Sequence, residues 1–139
     1  MNTILAPIDF SPVSMAVGRE ALTLGTALKQ RVTFLHVLSP MDHAPMDDIN
    51  LTEVLAAGEL NARGRLHTFA SGFGATTADL TVATGFVTDE ILLHARITAA
   101  SHIVLGSRGH SLLHDLLLGS TARAVLHAST CPVVIVPVT

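Results

Sequence analysis

The sequence predicts an α/β domain in which a five-stranded parallel sheet carries helices on both faces. Two observations support this fold class. Hydrophobic residues make up 49% of the 139 residues and aromatic residues only 4%, so the apolar content is mainly Ala, Leu, Val and Ile, as buried parallel strands require. Short apolar runs also alternate with segments of helical spacing in the order β-α-β-α-β-α-β-α-β, which is typical of a doubly wound sheet.

Composition predicts a single domain over residues 1–139 and excludes several classes of function. The net charge of −3 and the presence of one lysine, Lys29, argue against a nucleic-acid-binding surface and exclude a lysine-based P-loop. No apolar run reaches the length of a membrane span, and the N-terminus lacks a basic leader. We therefore expect a cytoplasmic protein that binds neither nucleic acid nor membrane.

The first half of the chain begins with a short strand, Thr3 to Ile8. Ser11 and Pro12 then predict a helix start, because serine caps free N–H groups and proline suits the first helical position. Helical spacing continues to about Lys29, and a second strand is expected over Arg31 to Leu38.

A long helix is predicted from Leu51 to about Phe69 after a loop. Gly58 and Gly64 lie inside it, and each costs about 1 kcal/mol relative to alanine, so we expect a bend or a close packing contact there. The remaining elements are predicted as a strand over Asp79–Ala83, a helix to about Ala100, a strand over His102–Leu105, a helix over Ser120–Ala128 and a strand over Cys131–Val138.

The stretch from Gly106 to Thr121 is the main candidate for a binding site. It follows the fourth strand and holds Gly106, Gly109 and Gly119 in the pattern G-x2-G-x9-G, with Ser120 next. Glycine lets backbone N–H groups approach an anion, and a helix N-terminus attracts negative charge. Ligands of such sheets bind beyond the carboxyl ends of the strands. We expect this stretch to bind the phosphates of a nucleotide.

The whole pattern resembles the ATP-binding, single-domain type of universal stress protein. The glycine pattern is matched without a gap, and the segments Pro7–Ser11, Leu35–Val37 and Cys131–Val136 resemble the family's first loop, second strand and last strand. The resemblance implies a Rossmann-like sheet with strand order 3-2-1-4-5.

The resemblance also implies a role for each site residue. Asp9 would lie near the ribose or a phosphate-bound cation, and the backbone of Val37 would meet adenine. Leu105 and Pro7 would wall the base and the sugar. The phosphates would be surrounded by Gly106, Arg108, Gly109, Gly119, Ser120 and Thr121.

The implied ligand is ATP, with ADP or AMP as alternatives. An acid beside a triphosphate repels it unless a divalent cation intervenes, so Mg²⁺ or Mn²⁺ is expected with the nucleotide, near Asp9. The resemblance further implies a homodimer through the edge strand Val133–Val136, and an additional protein partner stays open.

The predicted function is a nucleotide-dependent regulatory or stress-response protein, not a fast enzyme. Efficient phosphoryl transfer needs charge clamps and a positioned base, whereas this motif offers one arginine, one candidate aspartate and no lysine. Slow ATP hydrolysis or autophosphorylation stays open. The alternative that the protein is a partner-docking module with a vestigial nucleotide site also stays open. A nucleotidyl-transfer enzyme and a phospho-receiver domain are disfavoured, because their signature motifs are missing.

Simpler interpretations of individual residues also stay open. The glycines could be ordinary turn residues, Ser120 only a helix cap, Asp9 a cap of the first helix together with Ser11, and Arg108 a solvated charge. A zinc site at His110 and His114 is a further alternative, although surface positions suit them better. His36 is expected to be packed and hydrogen-bonded.

Overall fold

Parallel strands and helices alternate along the computed structural model, which describes residues 2–39, 51–74, 77–108 and 118–138. In chain order the elements are β1 (Thr3–Pro7), α1 (Ser14–Leu28), β2 (Arg31–Leu38), α2 (Leu51–Ser71), β3 (Asp79–Thr84), α3 (Val87–Ile97), β4 (Ala100–Gly106), α4 (Ser120–Ala128) and β5 (Val133–Val136). The strands form one parallel sheet in the order β3-β2-β1-β4-β5. The predicted fold class and strand order are confirmed.

The two faces of the sheet are covered by different helix pairs. Val17 of α1 and Leu66 of α2 pack with Phe34 on one face, while Ile91 of α3 and Val125 of α4 pack with the cluster on the other face. Because both faces are buried, the strands carry continuous apolar runs instead of alternating polar and apolar residues. No helix within the described ranges has the length and apolar character needed to cross a membrane.

The start of α1 differs from the prediction. The helix begins at Ser14 with Val13 as its N-cap, and no side chain caps it. The Ser11 carbonyl accepts the Ser14 amide at 3.0 Å, while the Ser11 hydroxyl is buried and has no hydrogen-bond partner among the described residues. The predicted cap is therefore wrong. A turn precedes the helix because the Asp9 carboxylate accepts the Ser11 amide instead.

Helices pack closely at Gly18 of α1 and not at Gly64 of α2. Helix α2 runs through Gly58 and Gly64 as one helix, and a Cβ added at Gly64 would have no atom within 4 Å. Close packing at Gly64 was thus a wrong expectation. At Gly18 of α1, by contrast, an added Cβ would lie 2.6 Å from Cζ of Phe73. Gly18 lets the end of α2 approach α1.

Strand β5 is shorter than predicted and is flanked by Pro132 and Pro137. Proline has no amide hydrogen for a sheet ladder, so these residues bound the strand.

Strands β1 and β4 are neighbours at the centre of the sheet, and the chain leaves them toward opposite faces, to α1 and α4. Their carboxyl ends therefore border an open crevice.

Candidate functional site

A cavity of about 580 Å³ lies at the carboxyl ends of β1, β2 and β4. Its wall includes nine residues that the sequence predicted for the site: Pro7, Asp9, Val37, Leu105, Gly106, Arg108, Gly119, Ser120 and Thr121. Gly109, the remaining predicted residue, lies outside the described residues, as do His110 and His114. The fold thus gathers residues from distant parts of the sequence around one space large enough for a drug-sized ligand.

Gly106 lies where β4 passes against α1. A Cβ at this position would lie 2.6 Å from Cγ1 of Val13 and 3.2 Å from the Arg108 carbonyl oxygen. No side chain fits without displacing a buried neighbour, because contacts below 3.0 Å essentially do not occur. The glycine therefore sets how closely the turn after β4 approaches the start of α1.

Ser107 fixes this turn to two other elements, a role that sequence analysis missed. Its carbonyl accepts the Gly119 amide at 2.6 Å and its own amide donates to the Val136 carbonyl at 2.8 Å. Its hydroxyl accepts the Val138 amide at 3.1 Å. Ser107 is buried, so these bonds join the turn, the start of α4 and the end of β5 into one unit.

Helix α4 opens toward the cavity through its N-terminus. Gly119 is the N-cap residue, with extended backbone angles, and no side chain caps the helix. Ser120 is the first helical residue and is exposed, so the interpretation of Ser120 as only a helix cap is wrong. The first turn of α4 contains no acidic residue, and its free N–H groups and dipole favour an anion at this end.

Asp9 lies on the cavity wall and has a local structural role. Its Oδ1 accepts the Ser11 amide at 2.9 Å and the Ser14 hydroxyl at 3.0 Å. Asp9 therefore orders the turn before α1 but does not cap the helix, so the alternative of a cap formed together with Ser11 is wrong. Asp9 is also exposed on the cavity wall, so its local role is compatible with a role at the site.

A stack of three side chains borders the same turn from the side of α2. The Phe10 ring lies 4.6 Å from the His36 ring, centroid to centroid, and Cζ of Arg65 lies 4.2 Å from the Phe10 centroid. His36 and Arg65 both line the cavity. Phe10 has a φ of 60°, a left-handed conformation that is costly for a bulky residue.

His36 is half-buried and hydrogen-bonded, as expected. Its Nδ1 donates to the Ile8 carbonyl at 2.6 Å. Burial lowers the pKa of His36 below its usual value; the hydrogen bond to Ile8 opposes this shift, the charge of Arg65 adds to it and the charge of Asp9 opposes it. A neutral imidazole with its proton on Nδ1 therefore faces the cavity near neutral pH.

The described residues include no group of three or more His, Cys, Asp or Glu side chains placed to hold a metal ion. Asp9 is the carboxylate among the described lining residues. A divalent cation at Asp9 would need further oxygen ligands, such as phosphate oxygens or water, to complete its coordination.

Sequence analysis did not place α2 and α3 at the site. The cavity wall also includes Ser14, Gly58, Asn61, Arg65, Val87 and Ile91. The sequence around Arg65 does not indicate that this arginine lies at the cavity, because its position depends on how α2 packs against the sheet. Phe86, the N-cap residue of α3, is 71% exposed and does not line the described cavity.

The strand order and the cavity at its reversal define a parallel α/β domain with an open cavity at the topological switch point, where sheets of this class bind ligands. The family model of the universal stress protein family matches residues 1–137. The chain belongs to the universal stress protein family, which confirms the resemblance seen in its sequence.

Curated relatives carry the same family name. Universal stress protein YxiE of Bacillus subtilis is 48% identical over 59 residues, which are 42% of this chain and 40% of that protein. Universal stress protein Mb2028c of Mycobacterium bovis is 28% identical over 134 residues, 95% of this chain and 44% of the relative. Both matches span less than half of the relative. Universal stress protein A homolog 1 of Coxiella burnetii is 30% identical over 142 residues, 96% of this chain and 94% of the relative.

Solved structures share the fold. The hypothetical protein MJ0577, a test case for assigning biochemical function from structure, superimposes with a TM-score of 0.85 at 22% identity, covering 99% of this chain and 96% of its own. A universal stress protein in complex with cAMP superimposes with a TM-score of 0.70 at 21% identity, covering 98% and 96%. At these identities the likeness concerns the fold.

Proposed function

We propose that this protein binds ATP, or another adenine nucleotide, in the cavity at the carboxyl ends of β1, β2 and β4, and that the bound nucleotide regulates it. One observation carries the proposal. Gly106 with the turn after β4, the N-terminus of α4 and Val37 of β2 line one cavity, although they are far apart in the sequence. The cAMP complex of a structurally similar family member supports a nucleotide as the class of ligand.

The two ends of the cavity suit the two ends of a nucleotide. At one end, which Gly106 lines, Arg108 offers a cation to the phosphates and the start of α4 offers helix N–H groups. At the other, Val37 and Leu38 border the cavity on β2, where backbone groups would meet adenine. Asp9 lies on the wall of the same cavity and would approach the ribose or a phosphate-bound Mg²⁺ or Mn²⁺.

Isothermal titration with ATP, ADP, AMP and cAMP, each with Mg²⁺ and with EDTA, tests the ligand. Arg108→Met should weaken ATP binding about tenfold or more and AMP binding less, because a charge-assisted hydrogen bond to a phosphate contributes roughly 1.5–3 kcal/mol. Arg123→Met is the matched control, since Arg123 is exposed on α4 and does not line the cavity. Absence of nucleotide binding by the wild-type protein would refute the proposal and favour a docking module.

The proposal includes a homodimer formed through the edge of β5 that faces away from β4, which pairs with no strand in the described part of the chain. Ile103 donates to the Pro132 carbonyl and Ser107 to the Val136 carbonyl, so in a parallel ladder the intervening Val133 and Ile135 direct their N–H groups away from β4. An edge with unpaired N–H groups invites pairing with another strand.

Sedimentation velocity tests this assembly. Ile135→Pro removes an outward N–H and should convert a dimer to a folded monomer, because proline is tolerated where the amide faces away from the sheet. Val134→Pro, in which the amide faces β4, is the control and should destabilise the fold itself. A dimer that persists in Ile135→Pro would exclude this interface.

We propose a regulatory role and not fast catalysis because few charged side chains line the cavity. Its charged side chains among the described residues are Asp9, Arg65 and Arg108, fewer than phosphoryl-transfer sites use. We propose a cytoplasmic nucleotide sensor whose turnover, if any, is slow. A measured turnover on the order of 1 s⁻¹ or faster would contradict that assignment.

A further inference from the structure

Phe10 occupies a strained position at the entrance to the turn that carries Asp9. Its φ of 60° is left-handed, a conformation that a residue with a bulky side chain holds only when its surroundings fix it. The backbone on either side is tied down. The Ile8 amide donates to the Leu35 carbonyl at 2.7 Å, and Ser11 donates its amide to Asp9. The orientation of Asp9 therefore depends on what fixes Phe10.

The Phe10 ring is held by side chains from β2 and α2. The His36 ring lies on one side with a centroid distance of 4.6 Å, and Phe69 meets the ring edge-on at 6.4 Å. Arg65 places Cζ 4.2 Å from the Phe10 centroid, within the range of a cation–π contact. Arg65 is itself exposed, and this contact gives its long side chain a defined position beside the turn.

We propose that Arg65 is a positioning residue for the nucleotide site, acting through the Phe10 ring to hold the left-handed turn and thus the Asp9 carboxylate. The proposal rests on the proposed function for its ligand. This role differs from the one proposed for Arg108, which lies in the turn after β4 and would contact the phosphates directly, because Arg65 extends from α2 and contacts the Phe10 ring.

The first test needs no nucleotide. Hydrogen exchange of the Ser11 amide, measured by NMR on the full chain, reports the bond to Asp9. Arg65→Met should speed this exchange about two- to fivefold, the size expected from loss of an exposed cation–π contact, while Arg65→Lys should retain most of the protection. Arg63→Met is the matched control, because Arg63 is exposed on the same helix and lines no described cavity wall. Equal exchange in Arg65→Met and Arg63→Met would overturn the proposal.

The second test uses adenosine, AMP and ATP. Arg65→Met should weaken all three by the same factor, about two- to fivefold, and the effect should vanish in a Phe10→Leu background, which lacks the aromatic face. A loss that grows with the number of phosphates, or that persists in Phe10→Leu, would show direct contact and overturn the proposal. If the wild-type protein binds no nucleotide, the proposed function fails, and the exchange measurement still decides the role of Arg65.

Discussion

Replacing Gly106 with alanine tests the close approach at the end of β4. The added Cβ would lie 2.6 Å from Cγ1 of Val13, 3.2 Å from the Arg108 carbonyl oxygen and 3.6 Å from Cγ2 of Val17. Val13, the N-cap of α1, and Val17 within α1 are both buried, so the new methyl group would enter a packed region. Inserting a methyl group into such a packed site costs about 1–3 kcal/mol. We therefore expect Gly106→Ala to be destabilised by that amount.

Urea unfolding followed by circular dichroism measures this cost. Gly64→Ala makes the same chemical change at a helical position where the new Cβ would have no atom within 4 Å. It should stabilise the protein by roughly 0.5–1 kcal/mol, because alanine favours a helix. Opposite signs for the two substitutions would separate steric conflict from the general effect of losing a glycine.

A double mutant identifies the atoms in conflict. Val13→Ala removes the Cγ1 atom nearest the new methyl group, so Gly106→Ala should cost less in a Val13→Ala background than in the wild type. A coupling of about 0.5–3 kcal/mol is expected for residues in direct contact. If Gly106→Ala left stability unchanged, or if the two substitutions were additive, the contact with Val13 would not be the reason for glycine.

Two further predictions concern His36 and Ser107. Burial lowers the pKa of His36 below its usual 6.5, so the unfolded chain takes up this proton at a higher pH than the native protein, and native stability falls as the pH drops below 6.5. His36→Gln should reduce that fall in urea unfolding between pH 8 and pH 5, and an unchanged pH dependence would contradict the assignment. Ser107→Ala removes the acceptor of the Val138 amide and should cost about 0.5–1.5 kcal/mol. It should also speed exchange of the Val138 amide, whereas the exposed Thr130→Ala should change neither; unaltered exchange would contradict the role given to Ser107.

The fold could be predicted because its signals are local. Apolar runs and helical spacing predicted each strand and helix that the structure describes to within a few residues, and glycines marked the turn after β4. Boundaries failed where a tertiary contact decided them. Ser11 and Pro12 are a good helix start by propensity, but the Asp9 carboxylate takes the Ser11 amide and the helix begins at Ser14.

The part of the candidate site that was predicted comes from strand ends, turns and one helix end, which the glycine pattern and the family resemblance mark in the sequence. Arg65 could not be found, because its place at the cavity depends on the rotation and position of α2 against the sheet, which periodicity alone does not determine. His36 was read as a packed residue, but the sequence did not show that its ring contacts Phe10. Likewise, Ser107 gave no signal, because its three partners are separated from it in the sequence.

The bonds of Ser107 also determine which parts of the molecule open together. β5 is a four-residue strand at the edge of the described sheet, and a short strand with one neighbouring strand is a part of a fold that opens locally. Opening of β5 would break two of the three bonds of Ser107, those with Val136 and Val138, and leave the turn after β4 held by the bond from the Gly119 amide. The turn and the edge strand are therefore coupled, and each local opening of β5 should loosen a turn that lines the cavity.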